Sequence, residues 1–223
     1  MPHLDRVLTA VAERASCRYS QADMLILASA SPRRQELLTQ AGLTFTVASA
    51  DLNEELLPGE MAASYVQRLA EEKAQVVWNL HKATDAPDDP LIVLGADTCV
   101  VSEDNILGKP TDTADARRML EILSGRIHTV LTGIAAVTRS GTVHAVEITH
   151  VTLTLLKDAE IAQYIASGEP LDKAGAYAIQ GYAARWIPRI DGCYFNVVGL
   201  PISRTIDLLA EAREAVGSSG RKP

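Results

Sequence analysis

Two serines and two arginines surround the predicted start of a helix in the stretch LILASASPRRQELL. Ser29 and Ser31 come just before Pro32, whose fixed φ suits the first position of a helix, and Ser31 is the predicted N-cap. A helix amino terminus carries partial positive charge, so Arg33 and Arg34 are placed against the helix dipole. Free backbone N–H groups, hydroxyl groups and two guanidinium groups are suited to phosphate oxygens. The stretch therefore predicts an anion site in which a bound phosphate offsets the unfavourable placement of the arginines.

The same pattern also has a purely structural explanation. In this alternative, the first turn is solvated and the arginines pair with nearby carboxylates, for which Glu36 and Asp51 are the candidates. The stretch lacks the G-x-x-x-x-G-K-[S/T] signature, so it does not predict the phosphate loop of a kinase or an ATPase. From the residues alone, the anion site and the solvated turn are equally good explanations.

Asp97 interrupts the strongly apolar stretch LIVLGADTCVV. A buried carboxylate without a partner is costly, so Asp97 requires a cation, a hydrogen-bond donor or a metal ion. Gly95 allows a backbone or a ligand to approach closely. The alternative is an Asx turn between two strands. The apolar residues on both sides favour a functional carboxylate.

Two lysines are further candidates for binding an anion. In the long predicted helix, Val66, Ala70, Lys73 and Val77 fall on one stripe, which places Lys73 on or beside the buried face. The more frequent outcome for such a lysine is that its ammonium reaches out to water. Lys109 follows the Asp97 region in the turn LGKP and, taken alone, resembles an ordinary exposed loop lysine.

Two irregular segments could complete a site. The acidic loop ADLNEELLPGE contains Asp51, Glu54 and Glu55, which are either solvated or able to hold Mg²⁺ together with substrate phosphates. The segment 168–199 is dense in glycine and aromatic residues and includes Gln180 and Asn196. It is suited to a ligand wall, although structural turns alone would also explain it.

The predicted elements that must position these residues alternate between helices and strands. Hydrophobic periodicity and capping signals predict helices over residues 32–41, 62–82, 113–123, 158–167 and 201–216. Strands are predicted over residues 24–28, 44–48, 91–94, 98–102, 127–138 and 143–155. The last two strands form a predicted hairpin, so an α/β protein with a mixed sheet is the expected class. We expect an amino-terminal extension over 1–22 with a solvated helix, one domain over 23–213 and a flexible tail over 214–223.

Composition excludes several classes of function. The 223 residues carry a formal net charge of −7, which argues against general binding of nucleic acids or anionic membranes. No stretch approaches the roughly 18 apolar residues of a membrane span. Cys17, Cys99 and Cys193 lack metal-type spacing, and their odd number without a signal peptide indicates a reducing, cytoplasmic compartment.

Six motifs in order resemble the Maf family of nucleotide pyrophosphatases over about residues 24–210. They are LASASPRRQELL, GADT, LGKP, LSGRIHTVLTG, EPLDKAGAYAIQG and GCYFNVVGLP. The resemblance implies an elongated mixed β-sheet flanked by helices, with two lobes around a cleft. It also implies a homodimer that hydrolyses nucleoside triphosphates to the monophosphate and pyrophosphate, using a divalent metal such as Mg²⁺ or Mn²⁺. A role in nucleotide house-cleaning or cell division is expected as well.

The resemblance also suggests residue roles. It identifies Asp97 as the proton acceptor, and we expect Asp97 and Glu54 to hold the metal. The residues expected to bind substrate are Ser29, Ser31, Arg33, Arg34, Lys73, Thr98, Lys109 and Gln180. The stretches SPRR, ADT and IQG match the branch of the family that resembles dTTP/UTP pyrophosphatases, in which the Gln180 amide is suited to the pyrimidine edge. AYAIQG departs from the usual AYGIQG at Ala178.

Two rival functions stay open at this point. One is a nucleotide-binding regulator of septation in which hydrolysis is incidental, and the other is a hydrolase of deaminated purine triphosphates. Asp97, Glu54 and Lys109 favour an enzyme over a regulator, because a pure binding protein has little need of a buried proton acceptor. Thr98 and Gln180 speak against the purine hydrolase.

Overall fold

A computed structural model describes residues 24–49, 51–86, 89–103 and 105–219. The predicted amino-terminal extension with its solvated helix, and the last four residues of the predicted tail, lie outside the described residues. The α-helices are α1 (Pro32–Gln40), α2 (Ala62–His81), α3 (Thr113–Leu123), α4 (Asp158–Ala166), α5 (Tyr194–Val198) and α6 (Ile202–Ser219). Short 3₁₀ helices cover Lys82–Thr84, Glu169–Asp172, Ala174–Ala176 and Tyr182–Trp186.

Within the described residues, seven strands form one mixed sheet. They are β1 (Met24–Leu27), β2 (Thr46–Val47), β3 (Leu91–Ser102), β4 (Asn105–Leu107), β5 (Ile127–Thr138), β6 (Gly141–Thr152) and β7 (Arg189–Asp191). Their order is β2-β1-β3-β5-β6-β7, and β4 also pairs with β3. β1 is parallel to β2 and β3, whereas the remaining pairings are antiparallel. The predicted α/β class with a mixed sheet and a long β5–β6 hairpin is confirmed.

β3 is one continuous strand, and the predicted break at Asp97 is wrong. Asp97 lies opposite Gly133 of β5, and the pairing continues in register on both sides of it. No Asx turn is needed because the carboxylate finds a cation within the fold. β4 was not predicted at all, and α6 continues to Ser219, three residues past its predicted end. Along the described residues, no helix is both long and apolar enough to cross a lipid bilayer.

On one face of the sheet, apolar packing forms two cores, one in each lobe, and both include residues of β3 and β5. On the other face, α2 covers two smaller apolar clusters. In the first lobe, α1 and α6 pack on one face of the sheet, where their leucines meet Ile92, Leu94 and Ile134. In the second lobe, α3, α4 and the 3₁₀ helices Ala174–Ala176 and Tyr182–Trp186 pack around Val100 and Val130. The same two strands therefore contribute to both cores, and the predicted two-lobe arrangement follows from their length.

Two glycines let α2 lie unusually close to the other face of the sheet. A Cβ atom added at Gly95 would be 2.0 Å from the Ala70 carbonyl oxygen, and one at Gly133 would be 2.3 Å from the Val66 carbonyl oxygen. Any other side chain at these positions would push the helix away, because real Cβ contacts are never this short. The absent side chains thus set the distance between α2 and β3, and with it the reach of α2 side chains toward Asp97.

Gly133→Ala should therefore lower the stability of the protein. It should also increase the distance between α2 side chains and Asp97. The atoms in the way belong to the α2 backbone and cannot rotate aside, so overpacking should lower the free energy of unfolding by about 3 kcal/mol. Thermal unfolding of the purified variant measures the effect. Gly217→Ala in α6 is the matched control, because nothing lies within 4 Å of the added methyl group. Equal melting temperatures for the two variants would contradict the close approach of α2.

Candidate active site

The candidate site lies at a gap along one edge of β3. On that edge β1 pairs with β3 through Leu94, and β4 pairs with it from Val100 onward. Among the described residues, no strand covers the edge between these two points. Asp97 and Thr98 lie in the gap and, because side chains alternate along a strand, they extend to opposite faces of the sheet. The carboxyl end of β1 leads directly into the loop before α1, which brings that loop to the same gap.

A cleft of about 590 Å³ opens at this gap, a volume typical of small-molecule sites. It brings together the ten residues that are expected from the sequence to hold the metal or bind the substrate. The cleft is lined by Ser29, Ser31, Arg33, Arg34, Glu54, Lys73, Asp97, Thr98, Lys109 and Gln180, among others.

Arg34 connects three walls of the cleft through its guanidinium group. Its Nε donates to the Gly199 carbonyl oxygen at 2.9 Å, and its two Nη atoms donate to Ser29 Oγ at 3.0 Å and Thr98 Oγ1 at 3.1 Å. Thr98 Oγ1 in turn lies 2.9 Å from Thr132 Oγ1. Burial lowers the pKa of Arg34, against the opposing charge of Asp97. The guanidinium is therefore an oriented cation, and no carboxylate partner is bonded to it among the described residues.

Arg33 bonds a carboxylate on the opposite side of the cleft. Its Nη1 lies 3.2 Å from Asp172 Oδ2, and its Nη2 donates to the Asp172 carbonyl oxygen at 3.4 Å. The solvated alternative was right that Arg33 pairs with an acid, but Glu36 and Asp51 were the wrong partners. Asp172 is 139 positions away in the chain, beyond the reach of any local pattern.

Ser29 and Ser31 lie in the loop between β1 and α1. Ser29 Oγ accepts from Arg34 and also from the Ser31 backbone N–H at 3.3 Å. Ser31 occupies the predicted N-cap position, but within the described structure its hydroxyl makes no capping hydrogen bond. The first turn of α1 therefore keeps its backbone N–H groups available at the cleft, as an anion site requires.

Lys73 joins the two candidate acidic residues inside the cleft. Its Nζ lies 2.6 Å from Asp97 Oδ1 and 2.6 Å from Glu54 Oε1. Lys73 and Asp97 are both buried, at 9% and 8% exposure, whereas the Glu54 side chain is about half exposed. The ammonium therefore does not reach out to water, contrary to the more frequent outcome considered from the sequence.

The environment shifts the pKa values of these carboxyl groups in opposite directions. Burial raises the pKa of Asp97, although the charges of Lys73 and Arg34 counteract it. Burial also raises the pKa of Glu54, but the hydrogen bond from Lys73 and the charges of Lys73, Lys109 and Arg34 outweigh it and leave that pKa lowered. Of the two carboxyl groups, Asp97 therefore has the higher pKa relative to its ordinary value and Glu54 the lower one.

Lys109 and Gln180 lie at the cleft as exposed residues, on the turn after β4 and on the loop before the last 3₁₀ helix. No described residue forms a hydrogen bond with the Gln180 amide, so its donor and its acceptor are both available to a ligand.

Asn196 was a second candidate for the ligand wall formed by residues 168–199, and this prediction is wrong. Its amide is fully buried and donates to the Val130 carbonyl oxygen and Thr149 Oγ1.

Sequence reasoning missed five polar residues that line the cleft, which are Ser49, Tyr65, Asp172, Lys173 and Tyr177. Tyr65 lies about two turns before Lys73 on α2, and burial together with the Asp97 and Glu54 charges raises its pKa to about 12. Lys173 lines the cleft beside Asp172 and donates to the Glu169 carbonyl oxygen at 3.1 Å. Lys173 could have been identified, because it is a cation within the segment predicted as a ligand wall. No sequence feature indicated Tyr65. Asp51 and Glu55 do not line the cleft.

The donor set of the cleft fits a small divalent cation. The Glu54 and Asp97 carboxylates converge on one point, where they share Lys73 Nζ. Mg²⁺ in nucleotide enzymes is held by one or two carboxylates, together with substrate phosphates and water. Within the described residues, no group of three or more His, Cys, Asp or Glu side chains lies close enough together to hold a metal ion, so the chain itself offers only these two carboxylates.

Comparisons with known proteins agree with one another. The family model described as Maf-like protein matches residues 24–212. A dTTP/UTP pyrophosphatase of Koribacter versatilis is 48% identical over 195 residues, which are 87% of this chain and 97% of that protein. A dTTP/UTP pyrophosphatase of Citrifermentans bemidjiense is 50% identical over 187 residues, covering 83% and 93%. One of Shewanella oneidensis is 49% identical over 193 residues, covering 84% and 97%.

Proposed function

The chain belongs to the Maf family, and from that premise we propose that it hydrolyses dTTP and UTP to the monophosphate and pyrophosphate. The observation that carries the proposal is a single cleft in which a buried carboxylate lies among three cations of the chain. Asp97, Lys73, Arg34 and Lys109 all line it. A triphosphate requires cations along its phosphates and a proton acceptor at the bond that breaks, and these residues supply both.

Asp97 acts as the proton acceptor in this proposal. A water molecule attacks the α-phosphorus, its proton passes to Asp97, and pyrophosphate leaves in line on the opposite side. Burial raises the pKa of Asp97, which strengthens it as a base, while the hydrogen bond from Lys73 favours the ionised form. The reaction depends mostly on positioning and charge stabilisation, which a buried and bonded carboxylate provides.

The cationic groups bind and orient the triphosphate. Arg34 is held in place by three acceptors, so little ordering is required when phosphate oxygens approach it. Lys109 is exposed at the mouth and adds charge near Glu54. Ser29, Ser31 and the first turn of α1 supply hydroxyl and backbone donors. The triphosphate explains why Arg34 is tolerated at the start of α1, whereas Arg33 already pairs with Asp172.

Glu54 and Asp97 are the residues that would hold Mg²⁺ or Mn²⁺. Such an ion, when bound, neutralises phosphate charge and polarises the phosphoryl group. Lys73 then has phosphate oxygens available as partners in addition to its carboxylates. Glu54 is suited to this role because its pKa is lowered and it is ionised at neutral pH.

Gln180 and Thr98 set the choice of base in our proposal. Uracil and thymine present an N3–H donor between two carbonyl acceptors, and a primary amide offers a matching acceptor and donor. Gln180→Glu should reduce kcat/KM for dTTP and UTP at least about tenfold, because a carboxylate cannot donate to a carbonyl. Other triphosphates should be affected less. Steady-state kinetics over several nucleotides measure this, and an unchanged substrate ranking would contradict recognition of the pyrimidine edge by Gln180.

A panel of nucleoside triphosphates assayed for pyrophosphate with Mg²⁺ tests the proposed function directly. We expect dTTP and UTP to be cleaved fastest, with nucleoside monophosphate as the second product. Preference for deaminated purine triphosphates would contradict the assigned substrate class. Binding of dTTP without any turnover would instead favour the regulator of septation.

We further propose that the protein is a cytoplasmic homodimer whose functional domain covers residues 23–213. The free thiols of Cys99 and Cys193 are compatible with a reducing compartment. The family model covers almost the same range as the proposed domain. Light scattering of the purified chain tests the dimer, and activity of a chain without residues 214–223 tests the domain boundary.

A further inference from the structure

Glu54 reaches the cleft from a loop with no regular structure of its own. Residues 51–60 contain neither helix nor strand, and two of the leucines there are about half exposed. The position of the Glu54 carboxylate therefore depends on what fixes the loop from outside. From outside the loop, the described side chains that bond it come from α2, namely Tyr65, Arg68 and Lys73. Within the loop, Asn53 and Glu60 accept from the backbone N–H groups of Glu55 and Leu57.

Arg68 holds the loop at two places beyond Glu54. Its Nε and one Nη form a bidentate pair with the Glu60 carboxylate, with both contacts at 2.7 Å. The same Nη donates to the Glu55 carbonyl oxygen at 3.2 Å. Glu60 in turn accepts from the Leu57 backbone N–H at 3.1 Å. One guanidinium group thus fixes the two ends of the segment that follows Glu54.

Tyr65 holds the loop at Glu54 itself. Its hydroxyl donates to the Glu54 carbonyl oxygen at 2.9 Å, while its ring lines the cleft. The Arg68 guanidinium carbon lies 5.7 Å from the centre of the same ring, so the two side chains support each other. Fixing the backbone of Glu54 leaves its side chain to turn toward Lys73 and Asp97.

We propose that Tyr65 and Arg68, here called the α2 brace, are positioning residues that hold Glu54 in its place in the cleft. The inference rests on the proposed function, in which Glu54 helps to bind the metal and the triphosphate. The Arg68–Glu60 pair is only partly exposed, with 22% and 9% of the two side chains accessible. Together with the bonds to the Glu54 and Glu55 carbonyl oxygens, it fixes the backbone next to the Glu54 side chain, so its loss should displace that carboxylate. Groups that orient a metal ligand typically change metal affinity about 10–100-fold when removed.

The test compares Arg68→Gln and Tyr65→Phe with a matched control, Arg118→Gln. Arg118 forms a similar local ion pair, 2.7 Å from Asp115 on α3, but does not line the cleft. Hydrogen exchange of peptides covering residues 51–61 reports on the loop. Electron paramagnetic resonance of Mn²⁺, with a non-hydrolysable dTTP analogue, reports on the metal. Glu54→Gln serves as the reference for complete loss of the carboxylate.

In both brace variants, we expect faster exchange across the loop and Mn²⁺ affinity lowered about tenfold or more. The control should match the wild-type protein in both measurements. Wild-type Mn²⁺ affinity in the brace variants, with weak affinity in Glu54→Gln, overturns the brace and leaves the proposed function intact. Wild-type affinity in Glu54→Gln overturns the metal role of Glu54 in the proposed function, and the brace with it.

Discussion

Asp97→Asn is expected to abolish pyrophosphate release while leaving the fold intact. Asparagine keeps the shape of the side chain and can still lie beside Lys73, but it cannot accept the proton of the attacking water. Loss of a positioned general base lowers rates by about 10²–10⁴-fold, so turnover of dTTP should fall about 10³-fold or more. Pyrophosphate release from saturating dTTP and Mg²⁺ measures the effect, and nucleotide binding by calorimetry should persist.

The melting temperature separates this loss from unfolding. Burial raises the pKa of Asp97, so keeping it ionised in the folded protein requires free energy at neutral pH. Asparagine resembles the protonated form and removes that requirement. The variant should therefore melt at or above the wild-type temperature at pH 7. Turnover near the wild-type rate would exclude Asp97 as the proton acceptor.

Lys73→Met should produce the second large effect, through both charge and pKa. Methionine fills a similar volume on α2 but removes the ammonium shared by Asp97 and Glu54. Removing one preorganised charged donor lowers kcat by about 10²–10³-fold. Without Lys73, the pKa of Asp97 should rise further, so the acid limb of the pH profile of kcat/KM should move to higher pH. Kinetics across the pH range measure both changes.

The stability of Lys73→Met should depend on pH with a defined sign. A buried carboxylate that loses its partner costs about 3–5 kcal/mol while it is ionised. Protonation of Asp97 removes this cost. The loss of unfolding free energy in Lys73→Met, relative to wild type, should therefore be small at pH values below the ordinary Asp pKa of 3.8. It should grow as the pH rises above the pKa of Asp97 in the folded wild-type protein, and level off above the still higher pKa of Asp97 in the variant. Denaturant unfolding at several pH values checks this, and a deficit independent of pH would contradict the role of the Lys73–Asp97 pair.

Local sequence patterns were enough to predict the site residues that lie on regular helices and strands. The helical stripe placed Lys73 on the buried face of α2, and the apolar run around Asp97 required a partner for that carboxylate. Neither pattern identified the other residue as the partner, because pairing across 24 positions depends on how α2 lies on the sheet. The predicted close approach of a backbone at Gly95 is confirmed, because the α2 backbone makes it, whereas Gly133 was not identified from the sequence.

Irregular segments and distant contacts were beyond local pattern. Asn196 and Gln180 belong to neighbouring motifs rich in glycine and aromatic residues, yet one is fully buried and the other is exposed at the cleft. Asp172, the partner of Arg33, is 139 positions away in the chain, so no periodic pattern in the sequence could identify it. The break predicted in β3 reflected a rule for isolated carboxylates, which tertiary contact with Lys73 overrides.

The continuity of β3 and β5 limits how the protein admits its substrate. Two lobes joined by a linker can swing about a hinge, but these lobes are built on the same hydrogen-bonded strands. Separating them would bend a paired ladder in the middle of the sheet. We therefore expect no hinge between the lobes, so any adjustment to a bound nucleotide falls to side chains that line the cleft, such as Arg33 and Asp172.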